Sequence, residues 1–400
     1  MRRVVFYLFI IAVFLAAPLA ALPRRGETAP AATPAPTATA EPTAAAPYRA
    51  VWVSYLEWQQ VDFSTPETFS VDIAVILDNI RNLGATVVLA QVRPFGDALY
   101  PSSYYPFSHL CTGQQGRDPG YDPLALLVQA AHDRGLALEA WVNPYRIQAG
   151  LTPALCDASP AKLHPDWVKY TDTGAYLDPA NTAVRQYIAD AVGELCANYD
   201  VDGIHFDDYF YPTTDPAFDA ADYAASGTAL ARDDWRRENV NALVELCHAT
   251  ARRYGVRFGA APAGDPEQNY TLQYSDAARW LRQGTVDYLM PQLYWGQEYI
   301  KNGDASHSFA QLAAAWAALP RAAGVKLYAG LGAYRVGAGD GSDAGSEWFS
   351  GHALADQLAL LARLGVQGAG LYRYGSLFAN SDAPALAESE AEAIKGVWQG

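Results

Sequence analysis

Two adjacent carboxylates, Asp207 and Asp208, lie in the second half of the strand-like segment 201–211 (VDGIHFDDYFY). Hydrolysis of a glycosidic bond usually needs two carboxyl groups: one protonates the leaving oxygen, and the other acts as nucleophile or base. The pair therefore points first to glycosidase chemistry, and the position of each side chain on its strand decides which carboxylate takes part.

Asp207 is the first candidate, in the role of nucleophile or base. Side chains two positions apart on a strand share a face, and the apolar Ile204 and Phe206 mark the outward face. Asp207 then points inward, where a charge is costly without a partner. An ion pair with Arg93 or Arg373 is the structural alternative, and we favour the functional interpretation over it.

The partner acid stays open among four residues. Asp265 and Glu267 follow a later strand-like segment and are the first choices, Glu57 comes next, and Asp208 is the last. Asp208 has the opposite strand parity to Asp207, which is typical of a residue that orders a loop.

Two deeper ionisable residues share the inward parity. His205 is interpreted either as a core histidine or as a participant in the chemistry. Glu139, two residues before the inward pair of Trp141 and Asn143, is interpreted as a supporting residue or as half of a buried ion pair.

Aromatic and amide side chains accompany these carboxylates. Aromatic rings cover the apolar C–H faces of sugars, and amide or guanidinium groups bond their hydroxyls. Together they predict a polar cleft that binds sugar. The candidate binding residues are Gln91, Arg93, Asp97, Trp141, Asn143, Tyr145, Tyr209, Gln292, Tyr294 and Trp295.

An alternation of short β-rich and longer helical segments places these residues. Strands are predicted over 49–57, 86–94, 137–145, 201–211, 257–263, 286–295, 326–335 and 368–375, with helical patterns in the gaps and at the end. Eight β/α units predict an α/β fold, a (β/α)8 TIM barrel with enlarged βα loops, preceded by a signal peptide and a linker rich in Ala, Thr and Pro. No G-x-G-x-x-G or Walker motif supports an open doubly wound sheet instead. Catalytic groups of such barrels lie at the carboxyl ends of the strands, where the residues above fall.

The N-terminus predicts export. Residues 1–22 have the basic start, apolar run and small residues of a signal peptide, and 23–47 form a disordered linker ahead of the catalytic barrel, 48–400. An uncleaved segment would act as a membrane tether, but Pro18 interrupts the apolar run and favours cleavage. The expected location is secreted or in the cell envelope.

Composition narrows the partners. The 28 Lys and Arg against 43 Asp and Glu give a formal charge of −15, which disfavours nucleic acid. The four Cys lack metal-ligand spacing, and the seven His form no H-x-H or H-E-x-x-H motif. We expect no metal and no cofactor. A Cys111–Cys156 disulfide is considered for an oxidising compartment.

Several sequence blocks, which follow one another in the order given below, resemble those of the glycosyl-hydrolase-like 10 family of bacterial TIM-barrel proteins. The resemblance implies hydrolysis of glycosidic bonds outside the cytoplasm, with peptidoglycan glycan strands of the cell wall as the leading substrate. The blocks are 89–94 (LAQVRP) with 97–100 (DALY), 140–146 (AWVNPYR), 177–179 (LDP) with 184–185 (VR), 202–209 (DGIHFDDY) and 291–295 (PQLYW).

The block at 202–209 is also similar to the chitinase pattern D-G-x-D-x-D-x-E, with one important departure. Tyr209 stands where that pattern has its catalytic Glu, and His205 replaces the second Asp. Two other functions therefore stay open: a glycan-binding barrel without turnover, and a metal-dependent polysaccharide deacetylase, which the scattered His disfavour.

Overall fold

A computed structural model describes residues 47–207 and 210–400. The predicted signal peptide and nearly all of the linker, as well as Asp208 and Tyr209, lie outside the described residues. Within the described ranges the strands are β1 (Tyr48–Val53), β2 (Val87–Arg93), β3 (Ala137–Val142), β4 (Arg146–Ala149), β5 (Val168–Thr171), β6 (Gly174–Leu177), β7 (Gly203–Phe206), β8 (Arg257–Ala260), β9 (Tyr288–Leu289), β10 (Gln292–Leu293), β11 (Lys326–Leu327), β12 (Ala329–Leu331) and β13 (Gly368–Leu371).

Helices follow the strands throughout these ranges. They are α1 (Tyr55–Trp58), α2 (Pro66–Leu83), α3 (His109–Thr112), α4 (Pro123–His132), α5 (Pro160–Leu163), α6 (Thr182–Asn198), α7 (Ala220–Ser226), α8 (Arg232–Arg253), α9 (Pro266–Thr271), α10 (Ala277–Gln283), α11 (Phe309–Ala318), α12 (Ala353–Arg363), α13 (Tyr374–Phe378) and α14 (Pro384–Gln399). None of these helices is long and apolar enough to cross a membrane.

The main sheet of the described chain is parallel and runs in the order β10-β12-β13-β1-β2-β3-β7-β8-β9-β11. Pro291 separates β9 from β10, and because proline has no N–H to donate, it interrupts one strand position. A bridge from Ala263 to Gln292 joins the segment after β8 to β10. With β9–β10 and β11–β12 each counted as one position, the eight predicted positions form the (β/α)8 TIM barrel, which confirms the fold class.

α2 illustrates how the sequence specifies the outer layer. Thr65 caps its first turn, Pro66 occupies the first helical position, and Gly84 ends the helix with a left-handed φ of 93°. Its apolar residues recur at helical spacing and are buried, among them Phe69 and Ile73. One face of the helix therefore packs on the sheet.

Large rings fill the barrel interior where a neighbouring strand supplies glycine. A Cβ atom on Gly259 would lie 2.1 Å from the ring of Tyr288, and one on Gly370 would lie 2.7 Å from Trp52 and from Met290. These close approaches require glycine at both positions. Pairing a large residue with a small one packs the interior densely.

The connection from β3 to α6 contains a small antiparallel sheet in the order β4-β6-β5. It is the largest elaboration of a βα loop among the described connections. All four cysteines are free thiols, so the disulfide considered between Cys111 and Cys156 is not formed. Both residues lie in βα-loop segments, as predicted, but their side chains are not bonded.

Candidate active site

Asp207 directly follows β7 and is only 5% exposed. The register of the barrel pairs Val142 of β3 with Phe206 of β7, so Asn143 and Asp207 leave adjacent strands at the same level. The Asn143 side-chain amide donates a hydrogen bond to Asp207 Oδ2. The structure therefore brings together two residues that the sequence assigned to one site.

A third residue extends this contact into β2. Gln91 Nε2 donates to Asn143 Oδ1 at 2.6 Å, and Gln91 Oε1 accepts from the backbone N–H of Tyr55 at 2.8 Å. Gln91 and Asn143 are each 1% exposed. We define the atoms from Tyr55 N–H through Gln91 and Asn143 to Asp207 as the amide relay.

The two arginines considered as ion-pair partners of Asp207 have other partners. Arg93 donates to the backbone oxygens of Phe95 at 3.3 Å and Pro144 at 3.0 Å, and it is 2% exposed. Arg373 pairs with Glu57. Arg93 thus ties two βα loops together from a buried position.

Glu57, one of the four candidate acids, accepts hydrogen bonds on both oxygens. Its Oε2 accepts from the backbone N–H and the hydroxyl of Ser54 at 2.8 and 2.6 Å, and its Oε1 accepts from Gly375 N–H at 2.9 Å and from Arg373. These contacts join α1 to the segment after β13 and occupy both carboxylate oxygens. Glu57 therefore suits the role of a structural anchor better than that of a proton donor.

The first-choice acids lie in the loop after β8. Asp265 caps α9 by accepting from Glu267 N–H at 2.8 Å, and it also bonds His307 Nε2 at 3.1 Å. Its side chain is 17% exposed, whereas Glu267 is exposed on the first turn of α9. Asp265 is thus the more enclosed of the two. The remaining candidate, Asp208, lies outside the described residues.

Aromatic rings surround Tyr372, which follows β13. The Tyr294 ring stacks on it at 5.6 Å between centroids, and Trp52 and Trp141 meet it edge-on at 6.0 and 6.4 Å. Burial raises the pKa of Tyr372 to about 12, and the negative charges of Glu57 and Asp207 act in the same direction, against Arg373. Tyr372 is therefore a neutral phenol at pH 7.

Tyr372 was not among the binding residues predicted from the sequence. A usable pointer was available, since the residue sits at a strand's carboxyl end within 371–375 (LYRYG). The charge of Asp207 acts on its phenol, and Trp141, two residues before Asn143, meets its ring edge-on.

The other candidate binding residues divide by exposure. Asp97, Trp141 and Tyr145 are buried, whereas Gln292, Tyr294 and Trp295 are half-buried and belong to the segment around β10. Asp97 accepts from His109 Nδ1 at 3.0 Å and from Gln115 Nε2 at 3.3 Å. Its carboxylate therefore anchors the loop after β2. Tyr209 lies outside the described residues.

A buried polar chain continues beneath Asp207 along the barrel axis. Trp52 Nε1 donates to His205 Nε2 at 3.2 Å, His205 Nδ1 bonds the Tyr288 hydroxyl at 2.8 Å, and that hydroxyl donates to Glu139. Glu139 also pairs with Arg257, with 2.6 Å between the nitrogen and the oxygen. Because indole only donates, His205 Nε2 is the acceptor and Nδ1 carries the proton.

These contacts decide both alternatives left open by the sequence. His205 is a fully satisfied core histidine, and Glu139 is the buried half of an ion pair with Arg257, whose side chain is 35% exposed. Burial lowers the pKa of His205 to about 3, so the ring is neutral at pH 7.

We expect this histidine to make stability depend on pH. Its pKa is about 3 in the folded protein and about 6.5 in the unfolded chain, so the unfolded chain binds the extra proton as pH falls. The neutral His205 therefore contributes its full share to the free energy of unfolding above about pH 6.5, and that share decreases as the pH falls from 6.5 to 3. Urea titrations should show a loss of about 2 kcal/mol from pH 7 to pH 5 that His205→Gln lacks.

His352, which is exposed, provides the matched control variant. His352→Gln should keep the wild-type pH dependence, because its side chain is 58% exposed. Equal pH slopes for the wild type and His205→Gln would contradict the assignment.

The loop after β7 depends on an ion pair that sequence reasoning missed. Arg236 of α8 makes a two-pronged contact with Asp219, with Nε to Oδ2 at 2.7 Å and Nη2 to Oδ1 at 2.6 Å. Their side chains are 1% and 0% exposed. Arg236 also donates to the backbone oxygens of Thr214 and Asp215.

This ion pair fixes the chain over 214–219. A buried pair of opposite charges, 17 positions apart, has no local sequence pattern. The only pointer was an arginine on a helix face that also carries apolar residues such as Val240 and Leu243.

Across 47–207 and 210–400, no group of three or more His, Cys, Asp or Glu residues could hold a metal ion.

Comparisons with known proteins include a family model and two relatives. The family model described as glycosyl hydrolase-like 10 matches residues 47–350. "Glycosyl hydrolase YngK" of Bacillus subtilis (strain 168) is 36% identical over 317 residues, 72% of this chain and 61% of the relative, so the chain spans less than two thirds of that relative's length. "Glycosyl hydrolase DigH" of Escherichia coli (strain K12) is 35% identical over 331 residues, 73% of this chain and 74% of the relative.

Among solved structures, the PgaB (BpsB) glycoside hydrolase domain from Bordetella bronchiseptica superposes with a TM-score of 0.58 at 16% identity. The alignment covers 88% of this chain and 98% of that domain. At this identity the likeness concerns the fold, and it agrees with the barrel described above.

Proposed function

The chain belongs to the glycosyl hydrolase-like 10 family, as the sequence blocks predicted, and we propose that it hydrolyses O-glycosidic bonds in a polysaccharide. The observation that carries the proposal is Asp207, an almost fully buried carboxylate at the carboxyl end of β7 that accepts a hydrogen bond from Asn143. Burying a charge at this end of a barrel costs folding free energy, and a catalytic role on a bound substrate accounts for its presence.

Asp207 either attacks the anomeric carbon as a nucleophile or, as a base, takes a proton from the water that attacks that carbon. The protonated partner comes from Asp265, Glu267 or Asp208, and Asp265 has a more enclosed carboxyl than Glu267. His307 Nε2 lies 3.1 Å from Asp265 Oδ2 and orients that carboxyl group. Glu57 supports the neighbouring loop through Arg373 and takes no proton-transfer role.

The substrate we propose is the glycan of the bacterial cell wall, which requires export. The apolar N-terminal segment, residues 1–22, supports secretion, and the Ala/Thr/Pro-rich residues 23–47 suit a tether that spaces the barrel from the envelope. The half-buried rings of Tyr294 and Trp295 offer planes for the C–H faces of sugar rings at the same rim.

The test is an assay of purified protein on peptide-free peptidoglycan strands, chitin and plant glucans, with mass spectrometry of the products. We expect new reducing ends from the peptidoglycan strands, and the same rate after EDTA treatment. Binding without new reducing ends would instead identify a non-catalytic glycan-binding barrel. Release of acetate that EDTA abolishes would identify a metal-dependent deacetylase. Either result would overturn the proposal.

A further inference from the structure

We propose that Gln91 is a positioning residue whose amide fixes Asp207 as a hydrogen-bond acceptor, so that Asp207 serves as nucleophile or base and not as the general acid. This inference rests on the proposed glycosidase function and deepens it. It changes the role of Gln91, which the sequence suggested as a sugar-binding residue. Gln91 is 1% exposed, so it acts through Asn143 and not by touching substrate.

The direction of the amide relay is fixed at one end by the backbone. Tyr55 N–H can only donate, so the Gln91 atom that faces it at 2.8 Å is the oxygen. The Gln91 nitrogen then faces Asn143 at 2.6 Å, where it meets the Asn143 oxygen. Asn143 is left with its nitrogen toward Asp207, and a nitrogen that donates requires an acceptor.

The relay has a rigid origin. Tyr55 opens α1, whose capping box holds Ser54 and Glu57 in reciprocal hydrogen bonds. The indole nitrogen of Trp58 donates to the backbone oxygen of Gln91 at 2.9 Å, which ties α1 to β2. Turning either amide over would bring two donors or two acceptors face to face in a buried site, which is costly.

The groups around Asp207 come from four strands. On β7, His205 lies two residues below and is neutral at pH 7. After β13, Tyr372 is a neutral phenol, and Arg373 behind it is paired with Glu57. On the two neighbouring strands, Val142 of β3 and Ala260 of β8 pair with Phe206, and both are apolar. Asn143, after β3, contributes its amide. Asp208 and Tyr209 follow directly in the chain.

The testing variant is Gln91→Glu, which keeps the shape of the side chain. The carboxylate that it introduces accepts from Tyr55 N–H and can only accept from Asn143, so Asn143 must turn its nitrogen toward position 91. The Asn143 oxygen then faces Asp207, and two acceptors repel. The pKa of Asp207 should rise by about one pH unit or more, and the acidic limb of the kcat/KM profile should move up with it.

The first readout needs no substrate. Carbon-13 NMR titration of the aspartate carboxyls, with Asp207→Asn to assign the signal, gives the pKa of Asp207 directly. The matched control is Gln148→Glu, which places the same charge at another buried amide whose nitrogen donates to Pro153 O at 2.6 Å. It should leave the titration of Asp207 and the acidic limb unchanged.

A second variant covers the case in which Gln91→Glu does not fold. Gln91→Met removes both amide bonds without adding charge and lets the Asn143 amide rotate, so kcat should fall about tenfold with little change in KM. The Asp207 titration should move in the same direction as in Gln91→Glu, by a smaller amount.

The outcomes separate the two proposals. A wild-type titration of Asp207 in folded Gln91→Glu, or in Gln91→Met if the first variant is unfolded, overturns the positioning role even when the wild type cleaves glycan. A raised pKa of Asp207 in a protein that releases no reducing ends supports the positioning role and overturns the hydrolase function.

Discussion

Replacing Asp207 with Asn should lower the rate of reducing-end release by about 10³-fold or more, the loss typical when an essential acid, base or nucleophile is removed. Asn keeps the size of the side chain, and its oxygen can still accept from Asn143. The fold and the affinity for glycan should therefore persist. Separate measurements of turnover, melting temperature and glycan binding check the three parts of this expectation.

Asp202 provides a matched control because it starts the same strand segment. Its carboxylate accepts from Leu138 N–H at 2.7 Å and bonds His132 Nε2 at 3.0 Å, far from the carboxyl end of β7. Asp202→Asn should change turnover by less than about twofold. Unchanged turnover in Asp207→Asn would remove Asp207 from the mechanism.

Asp219→Asn should destabilise the protein by about 3–5 kcal/mol. The substitution leaves the guanidinium of Arg236 buried without its counter-charge, which is the costly way to break a buried ion pair. Because Arg236 also holds the backbone at Thr214 and Asp215, the chain over 214–219 loses support and turnover falls with stability. Urea unfolding followed by circular dichroism measures the change.

A surface pair on the same helix tests whether burial is the cause. Asp234 pairs with Arg237 at 2.7 Å, but its side chain is 51% exposed, so Asp234→Asn should cost less than about 1 kcal/mol. The double variant Asp219→Leu with Arg236→Met should be more stable than Asp219→Leu alone, since no buried charge remains. Equal decreases in the free energy of unfolding for Asp219→Asn and Asp234→Asn would show that burial does not make the ion pair more important for stability.

The barrel itself was predictable because its signals are local. Alternation of β-rich and helical segments placed all eight strand positions, although the observed strands are shorter, as with Gly203–Phe206 against the predicted 201–211. The parity of Ile204 and Phe206 also placed Asp207 on the same face as His205, which the structure finds in the barrel interior. Periodicity of two along a strand needs no knowledge of the rest of the chain.

The functions of the polar residues around Asp207 were less predictable. Gln91 and Asn143 were expected to bind sugar, yet both are buried and bonded to each other, and Asp97 anchors a loop. Exposure depends on what covers a strand end, and here Tyr55 and Trp58 of α1 bond to Gln91. Sequence shows that a residue sits at a strand end, but not what lies above it.

By itself the sequence determined the repeating β/α pattern, the family, and the strand end where a carboxylate faces inward. The tertiary structure decided which groups that carboxylate meets: the relay from Tyr55, and the paired charges of Arg236 with Asp219 and of Arg373 with Glu57. The physical reason is range. Strand parity and helix periodicity arise between near neighbours, whereas these contacts join residues 17 to 316 positions apart and exist only once the barrel has closed.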